Sequence, residues 1–420
     1  MADRTPSTTY RVSNLDVARA GSWTLSAYGP VEFGGREGLI AALETLSRSG
    51  PQGRVGLVAD PATTKWRFDP QRLLRSVTEI DPVSDEDLSA TMTRLIAERD
   101  TSLPIWVTIA GDRLFVFLEH GLGDGRLTLD LSLALTDATR TGVIPAWQQR
   151  PPARARALPQ ALLGAIKANP RLPLETTKKS PVEQSQPATV PWTPAPTAAY
   201  ARGTADTLAE LAAWKKSNNL KTSTAALLMA AKVRALREVG LDPYRTVHIL
   251  FDGRRYLPQE AHVLSNFAAG LEVPLDNPGD PLQLAAAMRS VAAQGRPAAN
   301  LAVTAAKVAM SRRLTRSQNA HAGQLHAPAS PRPKMAFTDM GSAPQLEAIG
   351  WTTTDPTQRQ YCAMVDSPTP EAVTFTSGRL TGGATDTACF HHNVFSADLI
   401  QKAMTNAVSD PVRLLSAKDL

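Results

Sequence analysis

A proline-rich stretch near the middle of the chain constrains the fold more than any other feature. Ten of the 32 prolines lie in residues 151–200 of this 420-residue chain. Its later part, residues 180–197, has almost no periodicity. Proline fixes φ and has no backbone N–H, so this part can be neither a helix nor a central strand. The chain length favours two domains. We therefore expect one domain at 1–176, an extended crossover at 177–199 and a second domain at 200–420; the alternative is a disordered insert within one domain.

Helix and strand patterns alternate in both halves, without a tandem repeat. Two apolar runs, Ile105–Ile109 and Leu114–Leu118, are separated by a short turn, which is typical of a β-hairpin. The second run is apolar on both faces, so we expect a central, buried strand. Thr246–Phe251 predicts another buried strand, and Ser396 is expected to begin the closing helix. The sequence thus predicts an α/β or α+β fold with two domains.

Composition and charge exclude several classes of protein. The chain is 43% hydrophobic and 20% charged, which excludes a disordered or collagen-like chain. Its net charge is +6, but aromatic residues make up only 5% and no nucleic-acid reading element is visible, so we expect no nucleic-acid partner. Cys362 and Cys389 lack metal-ligand spacing, and His391 and His392 would point to opposite faces of a strand, so we expect no metal. With no apolar leader and no membrane span, a soluble cytoplasmic protein is expected.

One motif carries the residues for chemistry. His120-x-x-x-Asp124-Gly125 follows the predicted buried strand directly and precedes an apolar helical run. A histidine at such a transition can be held rigidly with its ring toward a cleft, and its ordinary pKa of about 6.5 lets it take a proton from an alcohol or amine. Asp124 is expected either to orient the imidazole or to anchor the loop through an arginine. Gly121, Gly123 and Gly125 are expected to allow a tight backbone path.

Together with three later segments, this motif resembles the chloramphenicol-acetyltransferase-like superfamily. That superfamily includes condensation domains of peptide synthetases, BAHD acyltransferases, wax-ester synthases and polyketide-associated acyltransferases. The segment ending in Arg254 is similar to its Asp-x-Arg, whose arginine pairs with the motif aspartate. The segment around Asn266 is similar to its Gly-Asn-Phe/Tyr, and the loop at Asp339 to its Asp-Phe-Gly-Trp-Gly. Glu119 stands where many relatives have a first histidine, and the 339–344 loop lacks the tryptophan and the second glycine.

This resemblance implies two similar subdomains, each a mixed sheet flanked by helices, with an active-site tunnel at their interface. It implies an acyltransferase that moves an acyl group from acyl-CoA or an acyl carrier protein to a hydroxyl or amine of a small-molecule acceptor, in specialised metabolism. No bound cofactor is implied, since the coenzyme A or phosphopantetheine thioester is a co-substrate. His120 would be the general base, without an acyl-enzyme. The residues implied to support the site are Asp124, Gly125, Arg254, Asn266 and Asp339.

Some alternatives stay open. Arg312, Arg313 and Arg316 form a basic stretch that either contacts the phosphates of coenzyme A or a carrier protein, or is a solvated loop. Asn266 either contacts a ligand or makes turn hydrogen bonds. The alternative function is a catalytically silent condensation-like module that binds an acyl chain or a carrier protein, and it is motivated by Glu119 and the altered loop.

Overall fold

The computed structural model describes residues 9–149, 156–172, 188–259, 261–314 and 325–417. Strands make up two large sheets and two small ones. The strands of this part of the chain are β1 (Thr9–Arg11), β2 (Trp23–Gly29), β3 (Leu57–Val58), β4 (Lys65–Phe68), β5 (Val77–Ile80), β6 (Ile105–Ala110), β7 (Arg113–Glu119), β8 (Thr189–Pro191), β9 (Pro196–Thr204), β10 (Thr246–Asp252), β11 (Ala268–Pro274), β12 (His326–Pro328), β13 (Lys334–Ser342), β14 (Gln360–Val365), β15 (Ala372–Leu380) and β16 (Gly383–His391).

Helices cover the outer faces of the sheets. Those in the described residues are α1 (Asn14–Val17), α2 (Gly35–Ser47), α3 (Leu88–Glu98), α4 (Gly125–Thr141), α5 (Ala146–Gln149), α6 (Ala157–Ala168), α7 (Ala205–Ser217), α8 (Thr224–Glu238), α9 (Pro281–Ala293), α10 (Arg296–Leu314), α11 (Pro344–Glu347), α12 (Ala397–Ser409) and α13 (Pro411–Ser416). The predicted cap at Ser396 is confirmed, because its side chain accepts a backbone N–H at the start of α12. Thr204 and Ser223 cap α7 and α8 in the same way. None of the described helices is both long enough and apolar enough to cross a membrane.

Both large sheets are mixed. The first lobe has the order β14-β2-β7-β6-β5, in which β5 and β6 are parallel. The second has the order β11-β10-β13-β15-β16-β9, in which β13 is parallel to both of its neighbours. This architecture confirms the prediction of an α/β fold with two lobes, each a mixed sheet flanked by helices.

The predicted hairpin is confirmed and delivers the motif. β6 and β7 pair antiparallel across Gly111, whose φ of 64° is easy for glycine. β7 lies in the centre of the first sheet, between β2 and β6, and its residues before Glu119 are all buried. The motif therefore starts from the central, buried strand of this sheet.

The predicted crossover is partly wrong. Its described residues, 188–199, contain β8 and the beginning of β9, while 177–187 lie outside the described residues. β9 is an edge strand, where the missing N–H of Pro196 is tolerated. The predicted boundary at residue 200 also fails to separate the two sheets. β14 comes from the second half of the chain but pairs antiparallel with β2 in the first sheet.

The sequence predicts that β10 is a buried strand, and this prediction is wrong for one of its two faces. Val247, Ile249 and Phe251 lie in the core of the second lobe, whereas His248 and Leu250 are only partly buried and line cavities between the lobes. The run of apolar letters hides this difference because Leu250 reads as a core residue. One face of the second sheet thus forms a core, and the other forms a wall of the site.

Candidate active site

The end of β7 places His120 in the interior of the molecule. A single 3₁₀ turn, His120–Leu122, follows the strand, and the Glu119 side chain accepts the N–H groups of Gly121 and Gly21 at 3.2 and 2.8 Å. The His120 N–H donates to the Ser22 carbonyl at 2.9 Å, and only 6% of the residue is exposed. These contacts hold the backbone of His120 on both sides.

In the ring of His120, one nitrogen makes a hydrogen bond within the protein and the other keeps a free lone pair. Its Nδ1 lies 3.1 Å from the carbonyl oxygen of Gly123. A carbonyl only accepts hydrogen bonds, so Nδ1 carries the proton and Nε2 keeps its lone pair. Burial and the nearby positive charge of Arg19 lower the pKa of His120 below its ordinary value of 6.5. The ring is therefore neutral at neutral pH.

Asp124 is a clamp between the two lobes. Its two carboxylate oxygens accept from Arg254 at 3.0 and 3.1 Å, and one of them also accepts the Phe267 N–H at 2.7 Å. It caps α4 through the Arg126 N–H. Burial opposes ionisation, but Arg254 and these N–H groups outweigh it and hold the pKa of Asp124 below its ordinary value. Of the two expected roles, anchoring the loop through an arginine is the one that the structure shows.

Arg254 has almost no donor left for a ligand. Beyond Asp124, its guanidinium donates to the carbonyl oxygens of Val263 and Ser265 and to the Asp252 carboxylate, all at 2.9–3.1 Å. Burial works against the cation, yet the two carboxylates raise the pKa of Arg254 above its ordinary value. This is a structural ion pair between the two residues that the family resemblance implies.

Asn266 joins the two lobes behind the histidine. Its amide nitrogen donates to the His120 carbonyl at 2.8 Å, and its backbone N–H donates to Asp16 at 2.9 Å. These are not turn hydrogen bonds, because both partners lie far away in the chain. Asn266 also lines the first cavity, and contact with a ligand there stays a prediction. Asn266 fixes the backbone of His120 from the opposite lobe.

Sequence reasoning missed a second ion pair under the motif. Asp16 is fully buried and pairs with Arg54 at 3.1 Å, and Arg54 also donates to the Leu122 carbonyl at 2.9 Å. Ser13 and Asp16 form a capping box at the start of α1. The letters Ser-x-x-Asp at residue 13 were the available signal, but they do not indicate which arginine would approach.

The other residues expected to support the site, Asp339 and Gly125, make no contact with His120 among the hydrogen bonds described. Asp339 accepts from Arg379 at 3.1 Å and from the Gly341 N–H at 2.7 Å, so it shapes the bend of β13. Gly125 begins α4, has no positive φ, and a methyl group there would meet nothing within 4 Å. The tight-path argument therefore fails for Gly125. At Gly123 the reason for glycine is packing, since a Cβ would lie 2.9 Å from the carbonyl oxygen of Leu264.

The basic stretch lies partly outside the described residues. Arg312, near the end of α10, donates to the Asn14 side chain at 3.1 Å and so holds α10 against α1. Nothing is described of the Arg313 side chain or of Arg316. Contact with a donor phosphate stays a prediction for these residues.

Two cavities adjoin at His120. The first has a volume of about 370 Å³ and the second about 340 Å³, within the range of small-ligand pockets. They share five lining residues, two of them the polar His120 and Arg19. Leu129, Met340 and Met364 line the first cavity but not the second, and Tyr244 and His248 line the second but not the first. Among the described residues, no cluster of histidine, cysteine and acidic side chains is placed to hold a metal.

Comparison with known proteins gives a fold and no closer relation. No protein-family model and no curated protein match the sequence. The nonribosomal peptide synthetase FmoA3 matches with a TM-score of 0.60 and 16% identity over 98% of this chain and 45% of that one. This chain therefore spans less than half the length of that relative.

Two other structures match over nearly their whole length. The trichothecene 15-O-acetyltransferase from Fusarium sporotrichioides has a TM-score of 0.59 and 14% identity over 97% of this chain and 94% of that one. The condensation domain of the monacolin K polyketide synthase MokA has a TM-score of 0.56 and 14% identity, with 97% and 96% covered. The resemblance is thus confirmed at the level of the fold. This chain has the two-lobed fold of condensation domains and of that acetyltransferase.

Proposed function

We propose that this chain is an acyltransferase that moves an acyl group from a thioester to a hydroxyl or amine of a small-molecule acceptor. The observation that carries the proposal is the state of His120, which is buried and neutral, with Nδ1 bound to Gly123 and Nε2 left as a base. The two adjoining cavities offer room for two substrates, and the matched structures include an acetyltransferase and condensation domains.

His120 would act directly on the acceptor. Nε2 takes the proton from the acceptor's O–H or N–H as that atom attacks the thioester carbonyl carbon. The tetrahedral intermediate then collapses, the C–S bond breaks, and the thiolate leaves with the proton from the imidazolium. No acyl-enzyme forms. A positioned base of this kind contributes roughly 10²–10⁴ in rate, so holding both substrates must supply much of the remainder.

Thr338 is our candidate for the donor to the oxyanion. Its side chain lines both cavities, and its hydroxyl is buried without a hydrogen-bond partner in the described structure. A buried polar group left unpaired costs free energy unless a ligand pairs it. Removing one such donor typically lowers kcat by about 10²–10³.

The test needs no acceptor. We would follow free-thiol release from acyl-CoAs of increasing chain length with the wild type and His120→Ala. We expect slow release that depends on His120, since water replaces the missing acceptor, and a preferred chain length. If no acyl-CoA gives release above the variant, the assay is repeated with acyl carrier proteins. A blank with both donors would contradict the proposal and favour the silent condensation-like module.

A further inference from the structure

Arg19 is an exception among the arginines around the site. It follows α1, and its side chain lines both cavities beside His120. The other two arginines that line the first cavity each hold a carboxylate: Arg254 pairs with Asp124, and Arg126 pairs with Asp130 at 3.0 Å. The Arg19 guanidinium makes no hydrogen bond or ion pair with any residue in the described part of the chain.

The free-energy cost of a partly buried, unpaired Arg19 cation indicates that a ligand supplies its partner. Burial disfavours the cation and lowers the pKa of Arg19, while the more distant charge of Asp124 offsets only part of the effect. A partly buried charge without a partner is costly. A clamp within the protein would have placed a carboxylate within reach, as it does for Arg54 and Arg254. Arg19 instead lines both cavities with no acceptor for its guanidinium among the described residues.

The position of Arg19 limits which anion can reach it. Its charge acts on His120 and also on His248, whose ring lies over Gly270 in the wall of the second cavity. An anion bound there would lie beside the reacting atoms. The phosphate of a pantetheine arm is at the opposite end from the thioester, so it cannot be at this place when the thioester carbonyl is near His120.

The second cavity does not neutralise Arg19 by itself. Its own carboxylates are Glu272 and Asp366, and neither pairs with Arg19. Burial raises the pKa of Asp366. Lys334 is already paired with Glu371 at 3.0 Å. Arg19 is thus the open cation here, and its planar fork matches a carboxylate with two parallel hydrogen bonds.

We propose that Arg19 binds a carboxylate of the substrate beside His120, so that the transferred or the accepting molecule is an acid. This inference rests on the acyl transfer proposed above and names the substrate class for it. The carboxylate could belong to the acceptor or to the far end of the acyl group. In either case Arg19 is a residue that determines specificity.

Binding is tested first, without turnover. The pKa of His120 is followed by NMR of its imidazole, assigned with His120→Ala, in the presence of butyrate or of its neutral analogue butyramide. Butyrate should raise this pKa by offsetting the charge of Arg19, and butyramide should not. Arg19→Gln should abolish the difference, whereas Arg126→Gln, which removes a half-exposed and already paired arginine, should preserve it. Equal responses to butyrate and butyramide in the wild type would overturn the proposal.

Turnover then identifies the source of the carboxylate. For the acyl group, thiol release from glutaryl-CoA is compared with that from valeryl-CoA. For the acceptor, leucine and 2-hydroxyisocaproate are compared with their amides, with valeryl-CoA as donor. In one of these two comparisons we expect thiol release to be roughly 10- to 100-fold faster with the carboxylate than with its neutral analogue. Arg19→Gln should abolish this preference. An equal slowing of acids and neutral analogues by Arg19→Gln would mean that Arg19 serves the oxyanion, and would overturn the inference.

The two proposals fail separately. If butyrate binding depends on Arg19 but no thiol release depends on His120, the acyl transfer is wrong and the anion site stands. If thiol release depends on His120 but no carboxylate is preferred in either arm, the acyl transfer stands and this inference is wrong.

Discussion

Two strand-to-turn junctions meet at the lobe interface, and they are built alike. β7 ends on Glu119 and the 3₁₀ turn His120–Leu122, and β10 ends on Asp252 and the 3₁₀ turn Gly253–Tyr256. In each, the acidic side chain at the strand end accepts the N–H two residues later, at 3.2 Å for Glu119 and 2.9 Å for Asp252. The local geometry therefore does not decide which junction performs chemistry.

The junctions differ in how completely their key side chains are paired. Arg254 donates to two carboxylates and two carbonyl oxygens, so it can only hold the structure together. His120 commits Nδ1 to Gly123 and keeps Nε2 at the meeting point of two cavities. Both side chains are held firmly, but only the His120 ring keeps an unpaired nitrogen, which is what the proposed base requires.

Removing Arg254, whose guanidinium is fully paired in the second junction, should have the largest effect on stability. Arg254→Met leaves the Asp124 carboxylate buried and unpaired, so we expect a loss of about 3–5 kcal/mol in the free energy of unfolding, measured by urea denaturation. Arg94→Met is the control, because both partners of its pair with Glu98 are about half-exposed, so the pair should contribute under about 1 kcal/mol.

This deficit should depend on pH with a defined sign. In the wild type the pKa of Asp124 is lowered by folding, so its contribution is present above the unfolded value of about 3.9 and is lost as pH falls through the folded value. In Arg254→Met, only the Phe267 and Arg126 N–H groups still oppose burial, so the pKa of Asp124 should lie higher than in the wild type. The deficit should therefore shrink in acid; a constant deficit would mean that Arg254 acts through packing and not through Asp124.

Gly123 and Gly125, in the first junction, have different surroundings. Substituting each one distinguishes a glycine needed for packing from one that leaves space for a ligand. A Cβ at Gly123 would lie 2.5 Å from the side chain of Leu127 and 2.9 Å from the carbonyl oxygen of Leu264, and one at Gly125 would meet nothing. We expect Gly123→Ala to cost about 1–3 kcal/mol of stability, and Gly125→Ala to cost none while narrowing the first cavity. Thermal unfolding and thiol release should show the two effects apart. A stability loss in Gly125→Ala would contradict this assignment.

The pH dependence of turnover tests the open ring nitrogen of His120. Since burial and Arg19 lower its pKa, the neutral base persists below pH 6.5. We expect kcat/KM to be level at neutral pH and to fall about tenfold per pH unit only below that lowered pKa. Arg19→Gln should move the acid limb to higher pH. A limb at or above 6.5 in the wild type would show that another group controls the proton transfer.

The sequence was sufficient for features that depend on neighbouring letters. The hairpin before His120, the helix caps and the motif itself were predicted because strand alternation and capping act over a few residues. The pairing of Asp124 with Arg254 came from the family resemblance. No local pattern indicates that Asp16 meets Arg54 and Asn266, or that β14 crosses to the first sheet, because those contacts join residues far apart in the chain.

The smallest effect on stability is expected at Glu119, the acidic side chain that ends β7 as Asp252 ends β10. Burial raises the pKa of Glu119 although the N–H groups of Gly21 and Gly121 oppose it, whereas the side chain of Asp252 is 61% exposed. An amide oxygen accepts the same N–H groups without the buried charge, so Glu119→Gln should change stability by less than about 1 kcal/mol. A raised folded pKa costs stability as pH rises above the unfolded value of about 4.3, so any gain from Glu119→Gln should grow from acid to neutral pH.

The slope is measured by urea denaturation of Glu119→Gln and the wild type from acid to neutral pH, and a constant difference between them would contradict this assignment. Thiol release should be unchanged in Glu119→Gln if this acid only organises the turn, because its oxygen is bound to backbone N–H groups and the His120 ring is held by Gly123 instead. Slower release at unchanged stability would mean that Glu119 also orients the histidine. The first junction would then differ from the second in its cap as well as in its ring, and the contrast between them would extend one residue back into β7.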